Sequence, residues 1–156
     1  MRRITLVSIV LALVALDRGA KMLVAGADLS APYQVLGTLL QLIHGENRGG
    51  LFGIVQGSAP LLAALSIGVI GALVIYHERE GVMRVTPLTI GIGLLIGGAI
   101  GNLLDRLAFG YVLDFIDLGI GSARFWTFNV ADAGITLGIL IVLLDTFWRP
   151  RDTVRA

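Results

Sequence analysis

Two aspartates lead the short list of residues in this chain that could carry chemistry. Asp114 stands in GYVLDF, an extended-looking run after Gly110. Asp132 stands in FNVADAG, at the head of a stretch that is otherwise apolar through Leu144. Neither has a basic residue at helical spacing. Taken alone, Asp132 reads as a first-turn carboxylate facing a helix dipole, and Asp114 as a solvated loop residue. Brought together they would form an aspartyl pair. Two close carboxylates do not readily both ionise, so one keeps a proton while the other takes one from water. That is enough acid–base machinery for peptide hydrolysis without a metal or a nucleophilic side chain.

Other polar residues could support such a pair. Asp17 precedes Lys21 by four positions, the favourable order for a helical ion pair, and a structural pair is the first reading. Asp105 and Arg106 are adjacent and so point in different directions on a helix. Arg106 reads as a headgroup anchor or as a partner for an outer-loop carbonyl or carboxylate. Lys21 is the only lysine, and Ser8 lies several turns away, so a serine–lysine peptidase is a weak alternative. The absence of cysteine excludes thiolate catalysis, disulfides and thiolate metal sites. His44 and His77 lie far apart in sequence, and HEREG at 77–81 lacks the second histidine of HExxH. No metal and no cofactor are expected.

The elements that must position these residues are apolar. Hydrophobic residues make up 56% of the chain and charged residues 15%, against about 25% charged in soluble domains. Mean hydropathy is +0.87. A lipid-facing exterior accounts for this balance. The net charge of +1 and the lack of a long basic run give no reason to expect nucleic acid. Four segments are candidate membrane spans: 4–25, 59–76, 87–108 and 130–148. The first is read as a retained helix, because DRGAK follows its apolar run without an A-x-A cleavage site.

The positive-inside rule orients the spans. With a cytoplasmic N-terminus, inner segments hold Arg2, Arg3, Arg79, Arg84, Arg149, Arg151 and Arg155. The outer loops proper then hold only Arg48 and Arg124. Both termini are predicted inside, with segments 26–58 and 109–128 extracytoplasmic. Those segments are longer than connections need, which predicts structure of their own. YVLDFI at 111–116 reads as a strand and GIGS at 119–122 as a turn, with LFGIV at 51–55 as another short strand. On this topology Asp17, Lys21, Asn102, Asp105, Arg106, Asn129 and Asp132 gather at one depth, near the outer leaflet. Charges at membrane depth usually face a cavity or a partner. Gly93, Gly97 and Gly101 form a small-residue face for helix packing, and Gly134 and Gly138 another.

Four boxes in order resemble those of the lipoprotein signal peptidase (signal peptidase II) family, and the likeness covers nearly the whole chain. DRGAK at 17–21 is similar to Asp-x-x-(Ser/Thr)-Lys, with Ala20 in the hydroxyl position. NRGGLFG at 47–53 is similar to Asn-x-Gly-x-x-Phe-Gly, with Gly50 and Leu51 replacing a small pair. GGAIGNLLDRLAFGYVLDF at 97–115 and FNVADAGITLG at 128–138 resemble the third and fourth boxes. The resemblance implies an all-α integral membrane protein: one domain, a bundle of four transmembrane helices with a small extracytoplasmic β-cradle. It implies an intramembrane aspartyl endopeptidase that cuts prolipoproteins before a diacylglyceryl-modified cysteine. Asp114 and Asp132 correspond to the catalytic pair. Asn47, Asn102, Arg106 and Asn129 correspond to residues lining the site, and Asp17, Lys21 and Asp105 to supporting residues. Expected partners are prolipoprotein substrate and membrane phospholipid, with the protein a monomer in the bacterial cytoplasmic membrane. The rival reading is a small transporter or proton-conducting subunit, since intramembrane charges also mark ion paths.

Overall fold

The computed structural model describes residues 1–49, 59–80 and 84–148. Four long helices occupy the four apolar segments: α1 (Arg2–Ala25), α2 (Ala59–Arg79), α3 (Pro87–Phe109) and α4 (Val130–Trp148). Among the described residues, α2, α3 and α4 are long and apolar enough to cross a membrane by length and composition. Helix α1 is of similar length but carries Asp17, Arg18 and Lys21 inside it.

Helix α3 is the centre of the bundle and packs on each of the other three. Its sequence fixes both ends. Thr86 caps the N-terminus in a reciprocal box with Thr89, and Pro87 follows at the first turn, where a missing N–H costs nothing. Gly110 ends the helix at φ 76°, and its N–H donates to the Arg106 carbonyl at 3.1 Å.

Glycines let the neighbours close in. A Cβ on Gly93 or Gly97 would meet Ile9 or Leu13 of α1, and one on Gly101 would lie 2.8 Å from Asp17 Oδ2. The period-four face therefore packs on α1. A second set, Gly91 and Gly98, lies off that period and packs on α4. A methyl on Gly98 would overlap the Ala131 carbonyl oxygen and come within 2.6 Å of Ile135 Cγ1. Gly98→Ala is therefore expected to destabilise the protein by about 1–3 kcal/mol, because backbone has to move. Thermal unfolding in detergent measures this.

The segments between helices form one antiparallel sheet in the order β1-β2-β3-β4. The strands are β1 (Tyr33–Leu36), β2 (Leu40–Asn47), β3 (Val112–Ile120) and β4 (Ala123–Arg124). The sequence-based strand at 111–116 is the first half of a longer strand, and the turn falls at Gly121 and Ser122. The hairpin of β1 and β2 was not foreseen. The expected strand at 51–55 lies outside the described residues, as do Gly50 and Leu51. Arg124 donates from Nε to both Asp117 carboxylate oxygens at 3.1 Å and from Nη1 to the Thr38 carbonyl. This ties the β1–β2 turn to the β3–β4 hairpin. An apolar cluster of Val24, Leu113 and Phe115 seats the sheet on the end of α1, with Ala20 packed against it. Ala20 thus sits against apolar side chains in this chain.

Candidate active site

Asp114 enters the site from β3. It faces Gly45 across the β2–β3 ladder, and Asn47 lies diagonally opposite on the same face. Asn47 Nδ2 donates to Asp114 Oδ2 at 2.9 Å, and Asn129 Nδ2 donates to Oδ1 at 2.7 Å.

Asp132 enters from the first turn of α4. Asn129 is the residue before that helix, and the two form a reciprocal cap. Asn129 Oδ1 accepts from the Asp132 N–H at 2.9 Å, and Asp132 Oδ2 accepts from the Asn129 N–H at 3.2 Å. The helix-terminus reading of Asp132 holds for one carboxylate oxygen. The other accepts from Asn102 Nδ2 at 2.7 Å. Asn129 Nδ2 also reaches Asn102 Oδ1 at 3.1 Å. Two amides therefore link the two aspartates across 18 positions of sequence.

Behind the amides lies a buried charge cluster. Lys21 Nζ is 2.8 Å from Asp17 Oδ2, 2.7 Å from Asp105 Oδ2 and 3.4 Å from Asn102 Oδ1. Asp17 and Asp105 are 0% and 1% exposed. The Asp17–Lys21 pair exists, but it is one part of a cluster that joins α1 to α3. Asp17 Oδ1 also accepts the N–H of Ala131, one of the free donors in the first turn of α4. Asp105 Oδ2 accepts the Leu113 N–H at 3.2 Å. Lys21 is held between two carboxylates, which leaves the serine–lysine reading no free base.

Of the alternatives read for Arg106, the outer-loop partner is the one not found. Among the described residues it binds no outer-loop carbonyl and no carboxylate. Its Nη1 donates at 3.4 Å to the carbonyl of Asn102 on its own helix. It lines a cavity of about 1040 Å³ together with Asp114, Asp132 and Asn47. Phe125, Trp126, Ile135, Leu137 and Ile139 give the same cavity an apolar wall. No local sequence pattern marks these apolar wall residues, or Arg18, as part of the site.

Burial, and next the Asp132 carboxylate, push the Asp114 carboxyl up to about 6; hydrogen bonds from Asn47 and Asn129 and the charge of Lys21 pull the other way. A carboxyl that keeps its proton well above pH 4, beside a second carboxylate in one cavity, is suited to acid–base work.

Known proteins resemble this chain over most of its length. The family model described as signal peptidase (SPase) II matches residues 9–148. The chain belongs to the signal peptidase II family. Two relatives, both called lipoprotein signal peptidase, illustrate the similarity. The one from Halothermothrix orenii is 35% identical over 138 residues, covering 87% of this chain and 90% of its own. The one from Caulobacter vibrioides is 41% identical over 144 residues, covering 86% and 81%. A solved structure described as a bacterial membrane enzyme superposes with a TM-score of 0.83 at 29% identity, over 97% of this chain and 94% of that one. As a signal peptidase II, the protein is a membrane protease, and its apolar helices fit that setting.

Proposed function

We propose that this family member is an aspartyl endopeptidase that removes the signal peptide from diacylglyceryl-modified prolipoproteins, cutting just before the lipidated cysteine. The observation that carries the reading is that Asp114 and Asp132 line one cavity and share the amide of Asn129. The pair holds one proton between its members. The ionised carboxylate takes a proton from water as the water oxygen bonds to the scissile carbonyl carbon. The protonated carboxyl gives its proton to the leaving nitrogen as the C–N bond breaks. The pair titrates as a unit, so the roles belong to the dyad. Asn47 and Asn129 orient Asp114, and Asn102 orients Asp132. Arg106 adds positive charge to the same wall, which favours charge developing on the attacked carbonyl oxygen.

In this reading all four helices cross the cytoplasmic membrane with both termini inside. Helix α1 crosses despite its charges, because Asp17, Arg18 and Lys21 are paired within the bundle rather than facing lipid. The sheet and residues 26–58 and 109–128 form an extracytoplasmic cradle, and the dyad lies near the outer leaflet. Exposed Ile120, Phe125 and Trp126 then meet phospholipid at the interface. The apolar wall on α4 receives the acyl chains of the substrate, and the protein acts as a monomer. Mass spectrometry of the products tests the reaction. The expected product begins with the diacylglyceryl-cysteine; a cut elsewhere contradicts the reading.

Asn47 provides a graded check. Its hydrogen bond favours the ionised form of Asp114, so Asn47→Ala raises the proton affinity of that carboxyl. The alkaline limb of kcat/KM is expected to move up by about one pH unit. A pH–rate profile of the two proteins reads this shift.

A further inference from the structure

Arg18 occupies the unspecified second position of the Asp-x-x-(Ser/Thr)-Lys box, and nothing in the four boxes calls for a cation there. Its Nη2 donates to Asp105 Oδ1 at 2.5 Å, to Asp17 Oδ2 at 3.2 Å and to the Gly101 carbonyl at 3.3 Å. We propose that Arg18 is a positioning residue for the proteolytic reaction, acting through Asp105 to fix the β3 backbone that carries Asp114. The inference rests on the aspartyl reading of the site.

The connection runs through one buried carboxylate. Asp105 takes Arg18 on Oδ1, and takes Lys21 and the Leu113 N–H on Oδ2. Leu113 directly precedes Asp114, and its carbonyl accepts from Asn129 Nδ2 at 3.4 Å. A turn of the Asp105 carboxylate therefore moves the peptide that leads into Asp114. Asp105 is almost fully buried, so water cannot replace a lost partner.

Charge balance gives a second route. Arg18 and Lys21 neutralise Asp17 and Asp105, two cations on two carboxylates. Without Arg18 the cluster carries one unpaired negative charge, which is costly when buried. Lys21 is then drawn toward the carboxylates and away from Asn102, the amide that holds Asp132. Both effects disturb the orientation of the dyad and leave the cavity wall that binds substrate in place.

The test uses the purified full-length protein and a diacylglyceryl-modified prolipoprotein, with kcat and KM measured separately. Arg18→Gln is expected to lower kcat about tenfold with KM changed less than about twofold, since misplacement of reacting groups acts on the chemical step. Arg18→Lys keeps the charge and a single nitrogen donor, which is what Nη2 supplies to Asp105, Asp17 and the Gly101 carbonyl, so it is expected to recover to within about threefold of the parent kcat. In an Asp105→Asn background, Arg18→Gln is expected to add no further loss, because residues acting through one another are not additive. Parent-like kcat in Arg18→Gln, a change confined to KM, or a multiplicative loss in the double variant overturns the proposal. If Arg18→Gln does not fold, Arg18→Lys with and without Asp105→Asn decides by the same additivity criterion. Asp114→Asn runs alongside: if it still cleaves, the aspartyl reading itself fails, whereas a normal Arg18→Gln with a dead Asp114→Asn removes only the role of Arg18.

Discussion

Asp114→Asn is expected to abolish cleavage and to gain stability relative to the parent as the pH rises. The loss of activity follows from removing one half of the acid–base pair and should be at least about 10³-fold in kcat/KM. The same loss is expected for Asp132→Asn. The gain in stability follows from linkage. The folded protein holds the Asp114 carboxyl at about 6, against 3.8 for an unperturbed aspartate, because the group is buried beside Asp132. Below pH 3.8 both states are protonated and Asp114 has no effect on stability. Between 3.8 and 6 the folded state still binds a proton that the unfolded state has lost, so stability falls as pH rises. Above 6 the loss is complete, and it amounts to at most about 3 kcal/mol. Asparagine carries no charge and escapes it. Its amide also turns one NH2 toward the donor of Asn47 or Asn129, a cost that does not vary with pH, so the readout is the trend: unfolding in detergent should show the stability of the variant relative to the parent rising by about 2–3 kcal/mol between pH 4 and pH 8. A carboxylate kept for structure would give the opposite trend.

Lys21→Met is the second large effect, and here stability is the readout. Lys21 is 4% exposed and holds two carboxylates that are more deeply buried still. Methionine fills much of the same space but leaves Asp17 and Asp105 with Arg18 alone. Breaking a buried ion pair from one side costs about 3–5 kcal/mol. The penalty comes from the uncompensated charge, so Asp17→Asn in the Lys21→Met background should return part of it. Asparagine at 17 keeps an oxygen for the Ala131 N–H. A Lys21→Met protein as stable as the parent would mean that the cluster is not the joint between α1 and α3.

The sequence was most legible where one residue type has one physical use. Apolar runs marked the helices, whereas the left-handed backbone by which Gly110 ends α3 is seen only in the structure. Asp114 and Asp132 stood out because neither had a cation at helical spacing. Their meeting was legible through the likeness of four boxes, since a link through Asn102 and Asn129 depends on contacts that no local pattern encodes. Arg18 was overlooked for the same reason: its partner Asp105 is 87 positions away. Gly91 and Gly98 escaped because they fall off the period-four face and pack on a different helix. The β1–β2 hairpin escaped because its strands do not alternate cleanly. Tyr33, Val35 and Leu36 are all exposed along β1, so no buried face imposed a period of two. A signal was present in Gly37, at φ 53° between two apolar runs.

In the proposed reaction one dyad, Asp114 with Asp132, hydrolyses a lipid-modified precursor. The most direct measurement follows cleavage of one prolipoprotein, with and without the diacylglyceryl group, by the parent protein and by Asp114→Asn and Asp132→Asn, all purified in the folded state. Cleavage is expected only by the parent and only of the modified precursor, at the bond before the lipidated cysteine. Cleavage of the modified precursor by both variants at rates near the parent would contradict it.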